Sequence, residues 1–265
     1  MANEKFGKPL EDLCLFDDVF MTACLAGQNE CVEYILKILL NKDLKVLRAE
    51  GQKELPNLHG QTARLDIMAV DENGKQYNIE VQRDNRGSKP KRARRNGSML
   101  DANVKNPGIF GENLPETYII FITEHDIWHE NQALYPVERF VLCGDRYLPF
   151  ADNLHILYVN GEWTGEDPVG QLMKDFHCTR SSAMSTSPLK DRVCQIKGDS
   201  TGGSVMGTML DQAELRGEAR GKKLGMEKGR AEQRKLDEAE LKKQADTIAT
   251  QAARIAELEA QLAKK

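Results

Sequence analysis

Nowhere in this chain do about 18 apolar residues run together, the length a membrane span needs. The opening MANEKFGKPLEDL also lacks the apolar segment of a secretory signal. No CxxC pair occurs among the six cysteines, at 14, 24, 31, 143, 178 and 194. A zinc ribbon and a disulfide-stapled mini-protein are therefore excluded as first readings, and reduced, mostly buried thiols in a cytoplasmic protein are expected. Net positive charge is missing too: 37 Lys plus Arg stand against 41 Asp plus Glu, for −4 overall. That excludes a uniformly basic nucleic-acid coat but leaves room for a local basic patch. Aromatics are few, and none follows Phe176. Because they dominate core burial, the packed domain is expected to end largely near that point. What remains is globular composition, 40% hydrophobic and 29% charged over 265 residues, enough for one full-sized domain plus an appendage.

Breaks in composition divide the chain into a domain over 1–198, a charged linker or helix over 199–230 and a helix over 231–265. SSAMSTS (181–187) reads as a loop. Ser187-Pro188 reads as an N-cap followed by Pro at N1, opening a short helix with Leu189, Val193 and Ile196 on one face. GDSTGG (198–203) is a second break. Gly217, Gly221, Gly225 and Gly229 then recur every four residues. Each costs a helix about 1 kcal/mol against Ala, so a loosely helical tether is the plain alternative to a helix there. Leu241, Ile248, Ile255 and Leu262 recur every seven residues, with Leu258, Gln244 and Gln251 at d-type positions. This pattern predicts a short, partly polar coiled coil that joins two copies or meets a partner helix; a single solvated helix is the alternative.

The first 200 residues alternate element types. Leu13, Phe16, Phe20 and Ala23 have helical spacing, and Asn29 reads as the cap of a second helix carrying Cys31, Ile35, Ile38 and Leu39. A helix is expected over 91–104. TYIIFIT (117–123) is an uninterrupted apolar run, the pattern of a strand buried on both faces. VERFVL (137–142) and LHILYV (154–159) are further strands. The order indicates an α/β domain, a mixed sheet flanked by helices.

Two alternating runs, RLDIMAV (64–70) and QYNIEVQ (76–82), are joined by DENGK and read as a hairpin. A two-residue turn at Asn73-Gly74 would set Asp66 against Val81 and Ile67 against Glu80. A three-residue loop, Glu72-Asn73-Gly74 with Gly74 left-handed, sets Leu65 against Val81, Ile67 against Ile79 and Ala69 against Tyr77. A slip of one residue exchanges the faces of the whole strand, so the apolar pattern selects the second register. Asp66 then stands across from Glu80, with Gln82 pointing the same way. Like charges about 5 Å apart at the Cβ atoms destabilise a sheet. A divalent cation offsets that repulsion, since hard oxygen ligands suit Mg²⁺ or Mn²⁺; two solvated carboxylates on an exposed face are the alternative. Immediately after comes RDNRGSKPKRARR (83–95), with seven Lys or Arg and one Asp. Phosphate contacts need such a cluster, although a basic run by itself is more often a solvated face.

Asp66, the hairpin and Glu80-Val81-Gln82 resemble the PD-(D/E)XK nuclease superfamily, in the branch of nuclease-family transposases similar to bacterial recombination-promoting nucleases. The resemblance covers roughly residues 12–200. Its markers are LFDDVFMTACL (15–25), RLDIMAV, YNIEVQRDN (77–85), KRARRNGSMLDAN (91–103), LPETYIIFITEHD (114–126), ILYVNG (156–161) and LMKDFHC (172–178). It implies a restriction-endonuclease-like core with a four-stranded mixed sheet, and a Mg²⁺-dependent DNA endonuclease, Mn²⁺ substituting, acting in the bacterial cytoplasm at the nucleoid. Asp66 and Glu80 map onto the metal-binding acids, with the Val81 carbonyl and Asp18 as further ligands. Gln82 falls where the wider superfamily has Lys, and its amide would orient the attacking water. Arg83, Arg86, Lys89, Lys91, Arg92, Arg94 and Arg95 are the expected phosphate contacts. The alternative is a catalytically weak or inactive DNA-binding or assembly protein, dimerised by its C-terminal helix.

Other motifs read as structural. His125 and His129 have i,i+4 spacing without the HExxH order. His177-Cys178 is a pair of chain neighbours that do not face each other. Cys24 and Cys31 read as core thiols, and Asn160-Gly161 as an ordinary hairpin turn.

Overall fold

The computed structural model describes residues 9–56, 62–198 and 200–262. In chain order the elements are α1 (Asp18–Leu25), α2 (Asn29–Leu40), β1 (Val46–Leu55), β2 (Ala63–Asp71), β3 (Gln76–Gln82), α3 (Pro90–Ala102) and β4 (Thr117–Thr123). There follow β5 (Leu134–Val137), β6 (Phe140–Cys143), β7 (Arg146–Pro149), β8 (Leu154–Asn160), α4 (Pro168–His177), α5 (Pro188–Gly198) and α6 (Ser200–Leu262). The architecture is α/β: a six-stranded mixed sheet of order β1-β2-β3-β4-β8-β5 flanked by helices, plus a separate β6-β7 pair. Four of the five strands expected from the sequence, β2, β3, β4 and β8, are contiguous in its middle. β3, β4 and β8 run parallel to one another, while β1, β2 and β5 pair antiparallel.

The strands at the two edges of the sheet escaped the sequence reading. β1, VLRAEGQKEL, has no apolar alternation because it is an edge strand, and charged side chains there keep the open edge from pairing with other chains. VERFVL is not one strand: Val137 ends β5 and Phe140 starts β6. Between them Arg139 forms an ion pair with Asp152 and donates to the Leu154 carbonyl at 2.6 Å.

Every residue of β4 is buried, as its continuous apolar run predicts, because helices cover both faces of the sheet. On one face α1, α2, α4 and α5 contribute Phe20, Ile35, Phe176 and Val193 to the larger cluster, with Ile67, Tyr77, Ile79 and Ile120 from the strands. On the other face α3 places Ala93, Met99 and Leu100 against Met68, Ile119 and Phe121. The helix starts are more local than the spacing suggests. Leu13–Phe16 precede α1, held by a turn in which the Cys14 N–H donates to Asp17 Oδ2 at 2.9 Å. Asn29 caps nothing; its amide donates to the Leu47 carbonyl at 2.8 Å, tying α2 to β1. Ser187 does cap α5, accepting from the Lys190 N–H at 3.3 Å. Leu189, Val193 and Ile196 are buried, so the core continues past Phe176.

The chain divides into two compact units, Met1–Leu210 and Asp211–Lys265. The described part of the second is helical, and Gly217, Gly221, Gly225 and Gly229 lie within α6, not in a break. Leu241 and Ile248 are exposed along that helix. The side chains of Ile255, Leu258 and Leu262 lie outside the described residues. No helix among the described residues is long and apolar enough to cross a membrane.

Candidate active site

The hairpin has the register that the apolar pattern selects. Ile67 pairs with Ile79 and Ala69 with Tyr77, across a loop in which Gly74 has φ +77°. The β2–β3 ladder ends at the Ile67–Ile79 rung. At the next rung side chains replace backbone partners: the Asp66 N–H donates to Glu80 Oε1 (3.2 Å) and the Val81 N–H to Asp66 Oδ2 (3.3 Å). Leu65 and Val81, expected to oppose each other, fall in the two different clusters because the strands separate here. Asp66 and Glu80 are 5% and 0% exposed. The exposed, solvated face is thus ruled out, since α3 lies over it.

A polar row runs across this face. The Asn96 amide on α3 donates to Asn78 Oδ1 at 2.9 Å, and the Asn78 amide donates to Glu80 Oε1 at 2.9 Å. Arg92, one helical turn before Asn96, donates to Glu80 Oε2, to Gln82 Oε1 at 3.1 Å and to the Gly87 carbonyl at 3.0 Å. The Gln82 amide donates to Asp66 Oδ2 at 3.1 Å. Gly87 is needed for this packing: a Cβ there would stand 1.9 Å from Gln82 Oε1. Asn78 and Asn96 were missed by the sequence reading, yet the signal existed. Asn78, Glu80 and Gln82 share one strand face by period two, and Arg92 and Asn96 share one helix face by i,i+4.

The electrostatics follow from burial. Desolvation, then the neighbouring charges of Glu80 and Asp18, push the Asp66 carboxyl up to about 8, against the lowering influence of Arg92 and Arg64. Glu80 is also raised by burial, but Arg92, Asn78 and the Asp66 N–H stabilise its anion. The two carboxyls therefore titrate as a pair, both raised by burial, with Arg92 favouring the charged form of Glu80.

Of the other sequence-derived residues, Asp18 stays near enough for its charge to raise Asp66, and the basic ones divide. Asp18 sits in the first turn of α1, half exposed, with its Oδ2 3.8 Å from Arg64 Nη2. Arg83, expected on phosphate, turns to the far side and pairs with Asp17 (3.0 Å) and Glu124 (2.8 Å). Arg86 pairs with Asp84. Lys89, Lys91, Arg94 and Arg95 are exposed around the first turns of α3. Arg92, by contrast, turns its guanidinium toward the acids, with its side chain only partly exposed.

As to the remaining motifs, EHDIWHE forms a loop around Asp126, which accepts from the N–H groups of Trp128, His129 and Asn131. His125 pairs with Glu162 at 2.9 Å. His177 contacts the Gly161 carbonyl at 3.0 Å. Cys24 and Cys31 are buried thiols, the latter pushed up to about 11 by desolvation. Asn160-Gly161 is no hairpin turn. It ends β8, where a Cβ on Gly161 would stand 2.3 Å from the Thr123 carbonyl.

Among the described residues no group of three or more His, Cys, Asp or Glu gathers to hold a metal. Asp66 and Glu80 offer two hard carboxylates of the kind a divalent cation takes, with Arg92 already on Glu80 Oε2 and the Gln82 amide on Asp66 Oδ2. Comparison with models of known protein families, with curated proteins and with solved structures finds no match.

Proposed function

We propose that the chain is a Mg²⁺-dependent DNA endonuclease with a restriction-endonuclease-like core formed by β2, β3, β4 and β8. The observation that carries this reading is the meeting of Asp66 and Glu80, buried side by side beneath a helix whose outer turns bear Lys89, Lys91, Arg94 and Arg95. Asp66 and Glu80 would hold the ion, with the Val81 carbonyl and Asp18 as supplementary ligands and Mn²⁺ as a substitute. Bound there, such an ion polarises a phosphodiester and lowers the pKa of water. Gln82 orients the water through its amide, and the exposed cations of α3 hold the DNA backbone. The α6 seam of Leu241 and Ile248 suits pairing of two copies, and cytoplasmic action on the bacterial nucleoid completes the reading.

Nicking of supercoiled plasmid tests it. The wild type should nick with Mg²⁺ and stop with EDTA, while Asp66→Ala and Glu80→Ala should each lose at least about a hundredfold. Equal nicking by folded variants would remove the site from the reaction. A second reading, a DNA-binding or assembly protein with a silent site, gains from Arg92, which already neutralises Glu80. Salt-dependent DNA binding without cleavage would favour it.

A further inference from the structure

The inward turn of Arg92 is not used by the nuclease reading. Its guanidinium meets Glu80 Oε2, Gln82 Oε1 and the Gly87 carbonyl at once. Its Cζ lies 5.9 Å from the Phe121 ring centroid. Gly87 leaves the space that this cradle fills. The arginine side chain is 34% exposed, whereas Glu80 is fully buried. One end of the contact is therefore fixed in the sheet, and the other has a route to solvent along the helix that carries Lys89, Lys91 and Arg94.

A guanidinium and a divalent ion on one carboxylate repel each other, so the Arg92 contact to Glu80 Oε2 opposes an ion at that group. An ion that takes Oε2 displaces Arg92, and a departing guanidinium needs a new anion. A phosphodiester lying along α3 supplies one, matched to the planar fork of donors. We propose that Arg92 is a displaceable counter-cation of the acid pair: it holds Glu80 in place when no metal is bound, competes with the metal, and transfers to a DNA phosphate. Resting on the nuclease reading, this makes Arg92 a positioning residue through which DNA and metal each strengthen the other's binding, as linkage requires.

The test measures Mn²⁺ affinity of the full chain by electron paramagnetic resonance, with and without a non-cleavable phosphorothioate duplex. Arg92→Gln should bind Mn²⁺ about tenfold more tightly than wild type without DNA, since the competing charge-assisted hydrogen bond is gone. The duplex should tighten the wild type by a larger factor than it tightens Arg92→Gln. Unchanged or weaker Mn²⁺ binding by a folded Arg92→Gln protein would overturn the proposal. Circular dichroism checks folding, because loss of one partner strands a buried charge. If the variant does not fold, nitrogen-15 NMR of the wild type decides. Saturating Mg²⁺ should move the Arg92 Nε–H signal to the position of a solvent-exposed arginine, and an unmoved signal would sink the idea. Asp66→Asn separates the two levels. Mn²⁺ binding that is absent altogether, or indifferent to Asp66, removes the nuclease site and this proposal together. Asp66-dependent binding with no Arg92 effect removes the counter-cation alone.

Discussion

Beneath α1, α2, α4 and α5 the sheet presents Ile67, Ala69, Tyr77, Ile79, Ile120 and Ile122 to a largely apolar core. Beneath α3 it presents Asn78, Glu80 and Gln82 in a row, beside a smaller apolar cluster. The first face is held by apolar area, a term that needs no directional match. The second removes two carboxylates and two amides from water, which is tolerable only while each has a partner. Asn96, Asn78, Glu80, Arg92, Gln82 and Asp66 form a continuous chain of such partners. A protein selected for stability alone could fill that face with hydrocarbon.

The contrast can be broken first on the apolar side. Phe176→Ala deletes a fully buried ring that packs edge-on to Phe16. It should cost about 3–5 kcal/mol in urea unfolding, and a loss below about 1 kcal/mol would show that the larger cluster is not the main source of stability.

On the polar face the sign reverses. In the unfolded chain Asp66 releases its proton near the ordinary 3.8, whereas in the metal-free folded protein it keeps it to about 8. The folded state therefore binds more protons across that window. Stability should fall as pH rises from about 4 to about 8, by at most about 1.4 kcal/mol per pH unit, and level off above. Asp66→Asn should flatten most of that slope and be the more stable protein at about pH 8. Denaturant melts across the window, with EDTA present, measure it; a flat wild-type profile would mean that Asp66 is not buried with its proton.

The smallest stability effect belongs to the helix surface. Lys89→Ala, Lys91→Ala and Arg94→Ala should each stay within about 0.5 kcal/mol of wild type. Combined, they should lower the salt slope of DNA binding by about 0.9 for each phosphate that is no longer neutralised. An unchanged slope would move the DNA path away from α3.

The same contrast governs how much was legible beforehand. The register of β2 and β3 could be read because a period of two leaves one arrangement with a clean apolar face, and that arrangement puts Asp66 beside Glu80. β4 could be read because a strand covered on both faces must be apolar throughout. β1 could not, since an edge strand satisfies half its backbone groups with solvent and can carry Arg48, Glu50 and Lys53. The basic run was visible as charge, but its division was not. Arg83 turns to Asp17 and Glu124 on one side of the sheet, Arg92 turns to Glu80 on the other, and their neighbours remain outside.

Residue order alone therefore determined that β2 pairs with β3 and in which register, which side chains are apolar enough to be covered, and that two acids stand on neighbouring strands. Only the tertiary structure decided that α3 closes over those acids, removes them from water and sets Arg92 against Glu80. The reason is one of range: alternation is a local property of the backbone, whereas desolvation and ion pairing depend on which distant element arrives above the sheet.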